Sequence, residues 1–434
     1  MLAYYFELAL RSFRRNRVLT ALMVLAIALG IGASMTTLTV FHVLSGDPLP
    51  GHSQTRYRVQ LDPHPMSGYT PGEEPTEQVT RYDAERLLRE ARGDRQALMT
   101  TGRVAIEPDR ADIAPFYART RYASADFFPM FDVPFRAGRG WTAQDDEAEA
   151  RVVVISEELA TRLFADQDPV GRPLRLNETE FRIIGVLDHW RPAPRFYDLA
   201  GSDAYDETEL LFLPFSTSRA LSFGRTGNMD CWGDTGGNDT GPEAPCVWMQ
   251  YWVQLDTPAR AAEYRRYLEN YSEEQRAAGR YERPTNVRLR NVTEWLDYKQ
   301  VVPGDVRLQV WLAGGFLLVC LVNTVGLLLA KFLRRAPEIG VRRALGASRR
   351  DIFVQLLVEA GTLGLAGGLA GLLLALLGLW AVRQQPADYA ALAHMDAGML
   401  ALTFALALVA SLLAGLVPAW RACQVAPARQ LKSQ

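Results

Sequence analysis

Apolar residues in this chain of 434 residues are concentrated in four long stretches. The stretches cover 18–44, 308–330, 352–382 and 398–420, and Glu359 is the single carboxylate within them. A helix needs roughly 20 mostly apolar residues to cross the hydrocarbon core of a bilayer, and each stretch is at least that long. The pattern therefore predicts four transmembrane helices, one near the start of the chain and three in its last third.

Basic residues stand on one side of these helices. They precede the first stretch and follow the second and the fourth, as Arg11, Arg14, Arg15, Arg17, Lys331, Arg334, Arg335, Arg342, Arg343, Arg349, Arg350, Arg421, Arg429 and Lys432. The loop at 383–397 has one Arg and two Asp. Lys and Arg near helix ends favour the cytoplasmic side of a membrane. We therefore expect both termini in the cytoplasm and the segment between the first two helices outside.

Hydrophobic pattern and charge together divide the chain into nine segments. They are an amphipathic helix on the cytoplasmic side (1–17), transmembrane helix 1 (18–44), an external domain of two subdomains (45–305), transmembrane helix 2 (306–333), a cytoplasmic segment (334–350), transmembrane helix 3 (351–382), a short external loop (383–397), transmembrane helix 4 (398–420) and a cytoplasmic tail (421–434). The first apolar stretch exceeds the roughly 7–15 residues of a signal-peptide core, and we expect it to be retained as a membrane helix.

The external domain mixes strand and helix patterns. Alternating or β-branched runs predict strands at 56–61, 116–122, 151–155, 180–187, 210–214, 247–255 and 287–292, and helical periodicity predicts helices at 83–92, 156–164 and 257–278. We expect Asp83 and Ser156 to cap the first two of these helices. The predicted fold is four transmembrane α-helices in a one-plus-three order, with a large α+β domain inserted between helices one and two.

Cys231 and Cys246 flank a stretch of the external domain that is rich in Gly, Asp and Asn. Thiols outside the cytoplasm usually oxidise, so a disulfide that closes this stretch is the leading interpretation. Free thiols are a second possibility. A cation site formed by Asp230, Asp234 and Asp239 is a third, although their spacing does not fit an EF-hand loop. The other two cysteines are expected to be unpaired.

Transmembrane helix 3 carries a carboxylate and a row of glycines. Glu359 either pairs with an Arg or packs against another helix near the basic end, or it belongs to a proton relay. The lack of a second acid in the four stretches favours pairing. Gly364 with Gly368, and Gly367 with Gly371, form small-xxx-small pairs that predict a close helix contact, either within the chain or between subunits.

Motifs for bond-breaking chemistry are absent from the sequence. There is no G-x-x-x-x-G-K-[ST] phosphate loop, no H-E-x-x-H zinc motif and no G-x-S-x-G nucleophile motif. The five His are scattered without the spacing of metal ligands. We therefore expect a chain that is not itself an enzyme and that holds neither a metal nor a cofactor.

Two sets of residues resemble one family, the MacB/FtsX-type ABC transporter permeases. The first set matches the E-I-G-x-[RK]-[RK]-A-[LI]-G-A signature with Glu338, Ile339, Gly340, Val341, Arg342, Arg343, Ala344, Leu345, Gly346 and Ala347, and continues with Pro418, Ala419, Trp420, Arg421, Pro427 and Ala428. The second set is similar to the MacB periplasmic core domain and includes Ser124, Ala125, Asp126, Phe127, Phe128, Asp168, Pro169, Val170 and Gly171. The region 188–280 follows no pattern of this family.

The resemblance implies a permease in the bacterial inner membrane with a periplasmic MacB-like core domain at 45–305. Two permease chains, identical or different, would pair with cytoplasmic ABC ATPase subunits that bind ATP and Mg²⁺. MacB carries a fused amino-terminal ATPase, and here we expect a separate subunit. A periplasmic adaptor protein and an outer-membrane channel are further implied partners, and nucleic acid is not.

The resemblance also implies how such a permease works. Movement of the membrane helices would be transmitted to the periplasmic domain, a mechanism known as mechanotransmission, to export or extract a peptide, antibiotic or lipid-linked substrate. The alternative is an FtsX-like regulator that activates a cell-wall hydrolase or senses toxic peptides.

The resemblance assigns contact with the ATPase to the cytoplasmic segment. The residues are Glu338, Ile339, Gly340, Arg342, Arg343, Leu345 and Gly346. We expect Ile339, Ala344 and Leu345 to form an apolar side for this contact. The alternative is a basic segment that only orients the neighbouring helices.

Overall fold

A computed structural model describes residues 2–110, 112–165, 167–200, 203–302, 304–385 and 389–424. The sequence predictions that concern Pro427, Ala428, Arg429 and Lys432 lie outside the described residues. The chain divides into two compact units, one formed by Met1–Ser45 with Val302–Gln434 and the other by Gly46–Val301. We refer to them as the helical unit and the α+β unit.

Both units contain helices, and the strands belong to the α+β unit. The helices are α1 (Leu2–Arg15), α2 (Arg17–Leu44), α3 (Arg81–Glu90), α4 (Phe127–Met130), α5 (Ala143–Glu147), α6 (Glu157–Phe164), α7 (Phe215–Ala220), α8 (Pro258–Ala277), α9 (Val292–Tyr298), α10 (Gly304–Arg334), α11 (Ala336–Ala344), α12 (Arg349–Arg383) and α13 (Ala397–Cys423). The strands are β1 (Arg56–Gln60), β2 (Val79–Thr80), β3 (Arg95–Glu107), β4 (Phe116–Ala123), β5 (Phe135–Gly138), β6 (Val152–Ile155), β7 (Pro173–Leu176), β8 (Thr179–Leu187), β9 (Leu211–Pro214), β10 (Arg225–Thr226), β11 (Asp230–Cys231), β12 (Cys246–Gln254) and β13 (Arg288–Asn291).

Four helices of the helical unit, α2, α10, α12 and α13, are long and apolar enough to cross a membrane. They contain the four apolar stretches of the sequence. Two of them begin at side-chain caps. Ser348 and Asp351 form a capping box at the start of α12, and the Asp396 carboxylate accepts a hydrogen bond from Met399 N at the start of α13. Such caps satisfy backbone N–H groups that have no partner within the helix.

The glycines of α12 face two different neighbours within the same chain. A Cβ atom at Gly364 would lie 2.5 Å from Ser411 Cβ of α13, and one at Gly368 would lie 2.8 Å from Ala407 Cβ of the same helix. The second pair faces α2: a Cβ atom would lie 2.5 Å from Ile27 Cγ2 at Gly367 and 3.1 Å from Ile31 Cβ at Gly371. Both small-xxx-small pairs therefore let helices of one chain approach closely.

The strands of the α+β unit join in one sheet with the order β13-β1-β12-β3-β4-β9-β6-β8-β5. Neighbours in this order are antiparallel, except that β4 with β9 and β6 with β8 are parallel. The short strands β2 and β11 pair with β12, β10 pairs with β3, and β7 pairs with β3 and β8. The residues Gly46–Val301 form one of the two compact units, and the division of this domain into two subdomains stays a prediction.

Two apolar cores lie on the two faces of this sheet. Successive strand residues point to opposite faces, so that in β6 Val153 and Ile155 belong to one core while Val152 and Val154 belong to the other. Helices α3, α6 and α8 contribute to the first core, and α4 and α9 contribute to the second. Because both faces are covered, the central strands β6 and β9 are apolar on both sides.

The structure corrects one predicted helix cap. The helix predicted at 83–92 is α3, and its N-cap is Thr80, whose hydroxyl accepts a hydrogen bond from Asp83 N. Asp83 is buried, and its carboxylate accepts hydrogen bonds from Tyr271 at 2.6 Å and from Arg280 at 3.0 Å. Ser156 is the N-cap of α6, as the sequence indicated.

Candidate functional site

Polar side chains from several elements of the helical unit meet at the basic end of the membrane helices. We call Ser12, Lys331, Arg335, Glu338 and Glu359 the polar cluster. Ser12 belongs to α1, Lys331 to the last turn of α10 and Glu338 to the first turn of α11. Arg335 stands between α10 and α11, and Glu359 lies in the first half of α12. The cluster therefore brings together residues that are far apart in the sequence.

Glu359 is at the centre of the polar cluster. It lies on the buried face of α12, in helical register with Ile352 and Leu356. Its Oε1 accepts a hydrogen bond from Ser12 Oγ at 2.6 Å and lies 2.7 Å from Lys331 Nζ. Its Oε2 accepts a hydrogen bond from Arg335 Nη1 at 2.8 Å. Of the two interpretations that the sequence allowed, the geometry is that of a paired carboxylate.

Arg335 connects Glu359 with α11. Its Nη1 donates to Ser12 Oγ at 3.3 Å, and its Nη2 donates to Glu338 Oε1 at 3.3 Å. Arg15 Nη2 donates to Glu338 Oε2 at 2.9 Å, which ties α1 to α11 directly. Burial alone raises the pKa of Glu338, but the hydrogen bonds from Arg335 and Arg15 outweigh it and hold this pKa below its usual value.

Burial makes the pairing within the polar cluster important for stability. Lys331 is 1% exposed and Glu359 is 2% exposed. Removing one partner of a buried ion pair costs about 3–5 kcal/mol, because the remaining charge stays buried without compensation. The Lys331 ammonium also lies 4.9 Å from the ring centroid of Phe13 in α1. Glu359 therefore forms ion pairs with Lys331 at the end of α10 and with Arg335 at the start of α11.

Helix α11 turns one face to the helical unit and the other to solvent. Ala336 and Ile339 are buried. The opposite face consists of Pro337, Val341, Ala344 and Leu345, which are all exposed. We call these four residues the exposed face of α11. Val341 is 56% exposed and Leu345 is 83% exposed, so this apolar face is in contact with solvent.

The prediction that Ile339, Ala344 and Leu345 share one apolar side is wrong. At 3.6 residues per turn, Ala344 and Leu345 lie about 140° and about 120° away from Ile339 on its two sides. Ile339 belongs to a core with Ile352 and Leu356 of α12, whereas Ala344 and Leu345 are exposed. Pro337, Ala344 and Leu345 are instead each three or four positions from Val341, which places the exposed apolar residues on one helix face.

The two arginines of the predicted coupling segment make contacts within this chain. Arg342 donates to Gln355 Oε1 at 3.0 Å and to Glu338 Oε1 at 3.2 Å. Arg343 Nη1 donates to the carbonyl oxygen of Cys423 at 3.4 Å. Of the two glycines in this segment, Gly340 is half-buried in α11, and Gly346 follows the helix with φ +101°, a conformation that favours glycine.

Cys231 and Cys246 form a disulfide in the α+β unit. They are directly opposite each other in the pairing of β11 with β12. Asp230, Asp234 and Asp239 each interact with a different neighbour. Among the residues that the structure describes, no group of three or more His, Cys, Asp or Glu could hold a metal ion. The other two cysteines are free and buried.

The pattern of the sequence predicted an Arg partner for Glu359 but did not identify Arg335, Lys331 or Ser12 as its partners. Lys331 and Arg335 are four residues apart at the end of an apolar stretch, and one helical turn separates residues at this spacing. That spacing is a signal that both could reach a carboxylate at the same depth. Ser12 carries no such signal, because only the packing of α1 against α12 brings it to Glu359.

A buried ion-pair cluster in the α+β unit was also missed. Arg121 Nη2 donates to Asp198 Oδ2 at 2.8 Å and also pairs with Glu209. Tyr197 Oη donates to Glu209 Oε2 at 2.8 Å, and Arg195 Nη1 lies 3.6 Å from Glu209 Oε1. Burial alone raises the pKa of Glu209, but the charges of Arg121 and Arg195 lower it to about 2. All of these side chains are buried, so we assign the cluster to the stability of the unit.

The fold and the polar cluster define a class: a multi-pass membrane protein whose α+β unit is inserted between the first and second of four long apolar helices. Residues 20–271 match the family described as MacB-like periplasmic core domain, and residues 311–427 match the family described as FtsX-like permease C-terminal. The chain belongs to the MacB-like family, and its last three membrane helices form an FtsX-like permease domain.

Curated relatives are identical to this chain at about a quarter of the aligned positions. The macrolide export ATP-binding/permease protein MacB of Marinobacter nauticus is 24% identical over 440 residues, which cover 98% of this chain and 60% of the relative. The pyoverdine export ATP-binding/permease protein PvdT of Pseudomonas aeruginosa is 26% identical over 314 residues, which cover 72% of this chain and 42% of the relative. The chain thus spans less than two thirds of the length of these relatives.

Two solved structures also match. The periplasmic region of MacB from Actinobacillus actinomycetemcomitans is 16% identical and covers 59% of this chain and 96% of its own, with a TM-score of 0.37. The extracellular domain of the noncanonic ABC-type transporter YknZ from Gram-positive bacteria is 12% identical and covers 54% of this chain and 100% of its own, with a TM-score of 0.34.

Proposed function

We propose that the chain is the permease part of an ABC transporter and transmits motion from a cytoplasmic ABC ATPase to the α+β unit in the periplasm. The observation that carries the proposal is the exposed face of α11. It is apolar, and it lies at the basic end of the membrane helices, which the positive-inside rule assigns to the cytoplasm. Within the described residues, no part of the chain covers it. A partner with an apolar groove could bury Val341 and Leu345.

The chemistry of such a contact is that of a helix docked in a groove. Apolar residues separated by three or four positions anchor the helix, and each buried apolar side chain contributes about 1.5–3 kcal/mol. Arg349 and Arg350 follow this face closely in the sequence, and their side chains are exposed. They would favour a partner whose groove has an acidic rim, because charge complementarity speeds association and fixes its orientation.

In this proposal ATP and Mg²⁺ are bound by the ATPase and not by the described chain. The sequence has no phosphate-binding loop. The names of the relatives describe ATP-binding/permease proteins, which combine both activities. The permease part would then have no enzymatic activity and no cofactor of its own.

Chain connectivity supports transmission between the two units. Ser45 ends the first segment of the helical unit and Gly46 begins the α+β unit, which ends at Val301, shortly before α10. Movements of α2 and α10 would therefore reach the α+β unit directly through the backbone. We propose that two permease chains act together in this mechanotransmission, with both termini of each chain in the cytoplasm.

The proposed work is export or extraction of a peptide, antibiotic or lipid-linked molecule at the periplasmic side. Relatives are named for macrolide export and pyoverdine export, which supports a role in export. A periplasmic adaptor protein and an outer-membrane channel would complete the path. The four long apolar helices and the MacB-like periplasmic core domain support a location in the inner membrane.

Docking at α11 can be tested by purification of the tagged full chain followed by mass spectrometry. The unchanged chain should recover an ABC ATPase. Val341→Asp combined with Leu345→Asp should abolish this recovery, because both carboxylates would have to be desolvated in an apolar contact. Both side chains are exposed, so the variant should insert and fold normally.

Tyr117→Asp is the matched control for this experiment. Tyr117 is 72% exposed and lies in β4 of the α+β unit, so an acid there should leave recovery of the ATPase unchanged. Undiminished recovery with the double variant at α11 would show that the exposed face of α11 is not the docking surface.

A further inference from the structure

We infer that Glu359 is a positioning residue that fixes α11 to α1, α10 and α12, so that force applied at the exposed face of α11 moves these helices together. The inference rests on the proposed function for the source of that force. The attachment itself is a property of this chain and can be measured without a partner.

The need for such a residue follows from the small apolar contact of α11. The helix has nine residues, and Ala336 and Ile339 are its buried ones. A helix of this length is marginal in water when it is isolated. The polar contacts of Arg335, Glu338 and Arg342 with Glu359, Arg15 and Gln355, respectively, must therefore supply much of the attachment.

Glu359 links these contacts to the membrane helices. One oxygen faces α1 and α10, through Ser12 and Lys331, and the other faces Arg335 at the start of α11. Arg335 is 10% exposed in its side chain and also contacts Glu338. A single carboxylate on α12 thus interacts with three other elements.

Removal of this carboxylate should weaken the attachment of α11 to α12 without preventing α11 from forming a helix. Arg335 would keep Glu338, which is only three residues away, so the first turn of α11 would still form. The connection from Arg335 to α12 would be lost. The hydrogen bonds from Arg15 to Glu338 and from Arg342 to Gln355 would remain. We therefore expect α11 to stay helical but to be held more loosely against α1 and α12.

The test measures the distance between spin labels on α1 and α11 in the full chain in nanodiscs. Labels are placed at Arg11→Cys and Val341→Cys, two exposed positions outside the polar cluster. The free cysteines Cys320 and Cys423 are first replaced by Ala. The distance distribution should be narrow in this parent protein, because the polar cluster holds both helices.

Two further variants should broaden the distribution. Glu359→Gln with Lys331→Met removes both charges of the buried pair together, so that no ammonium is left buried without a partner. Arg335→Lys keeps the charge, but a lysine ammonium lacks the planar fork with which Arg335 reaches Glu359 and Glu338 at once. Asp305→Asn is the matched control, because Asp305 is an exposed carboxylate on α10 outside the polar cluster. It should leave the distribution narrow.

The variant with Glu359→Gln and Lys331→Met decides the inference if it elutes and melts as a folded protein, and Arg335→Lys decides it otherwise. Broadening in the deciding variant supports the inference, and an unchanged narrow distribution overturns it. Val341 belongs to the exposed face of α11, so recovery of the ATPase is measured with unlabelled versions of both variants. These keep the exposed face unchanged and should still recover the partner. If the parent chain recovers no ATPase, the proposed function fails, and the distance measurement still decides the role of Glu359.

Discussion

Each unit of this protein buries a carboxylate between two cations. Glu359 lies between Lys331 and Arg335 in the helical unit, and Glu209 lies between Arg121 and Arg195 in the α+β unit. In both places the cost of burying charge is offset by opposite charges and hydrogen bonds. The first pairing joins separate helices at the candidate site, whereas the second lies buried in the α+β unit and stabilises its fold.

Glu209→Gln should lower the free energy of unfolding of the α+β unit by about 3 kcal/mol at neutral pH. The substitution leaves Arg121 and Arg195 buried with one acid fewer. Urea unfolding of the full chain, monitored by tryptophan fluorescence, measures this change in the free energy of unfolding. Glu207→Gln is the matched control, because Glu207 is exposed in the same segment, and it should change the stability by less than about 0.5 kcal/mol.

The effect of Glu209 should depend on pH in a defined window. Its pKa is lowered from 4.5 to about 2 in the folded protein. A depressed pKa contributes stability that is present above the unfolded value and is lost as the pH falls toward the folded value. The difference between the parent chain and Glu209→Gln should therefore shrink between about pH 4.5 and about pH 2. A difference that stays constant across this window would contradict the assignment of charge to Glu209.

At the scale of elements, four of the six glycines of α12 decide which helices touch. Gly364 and Gly368 face α13, and Gly367 and Gly371 face α2. The sequence identified these pairs as contact positions but left open whether the contact was within or between subunits. In the structure both contacts lie within the chain, because α12 packs between α2 and α13 of the same chain.

Gly364→Ala should destabilise the helical unit by about 1–3 kcal/mol. The new methyl group would lie 2.5 Å from Ser411 Cβ and 3.0 Å from the carbonyl oxygen of Ala407, so α12 and α13 would have to move apart. Thermal melting in detergent measures the change. Gly314→Ala in α10 is the matched control, because no heavy atom lies within 4 Å of its added Cβ. Equal melting temperatures for the two variants would show that the close contact is not needed.

Strand β3 shows where pattern reading fails at the element scale. It is 13 residues long and central in the sheet, yet the sequence analysis predicted no strand there. The segment contains Gly102 and two alanines, residues that are depleted in strands. Gly102 is required because a Cβ atom there would overlap the ring of Tyr122 in β4. Packing across the sheet therefore overrides local propensity.

At the scale of the whole molecule, the predicted topology can be tested by cysteine labelling in intact cells. Glu147 and Arg349 are both exposed, so a cysteine at either position should not disturb the fold. A membrane-impermeant thiol reagent added from outside should label Glu147→Cys and not Arg349→Cys, because basic residues favour the cytoplasmic side. Labelling of Arg349→Cys alone would mean that the chain is inserted in the opposite orientation.

Several features of this protein were determined by its sequence. Four long apolar stretches predict membrane helices, because a helix satisfies its own backbone hydrogen bonds in a bilayer. The signature at 338–347 and the segments of the core domain were enough to identify the family, which the match over residues 20–271 confirms. Local chemistry also specified the cap of α6 by Ser156.

The candidate site itself was decided by tertiary structure. Sequence marked Glu359, Arg342 and Leu345 as candidates, but it could not show that Arg342 is engaged within the chain while Leu345 is exposed. Nor could it show that Ser12 reaches Glu359 across 347 positions. The physical reason is that helix periodicity fixes which residues share a face, whereas the packing of α1, α10, α11 and α12 decides which face is buried and which charges meet.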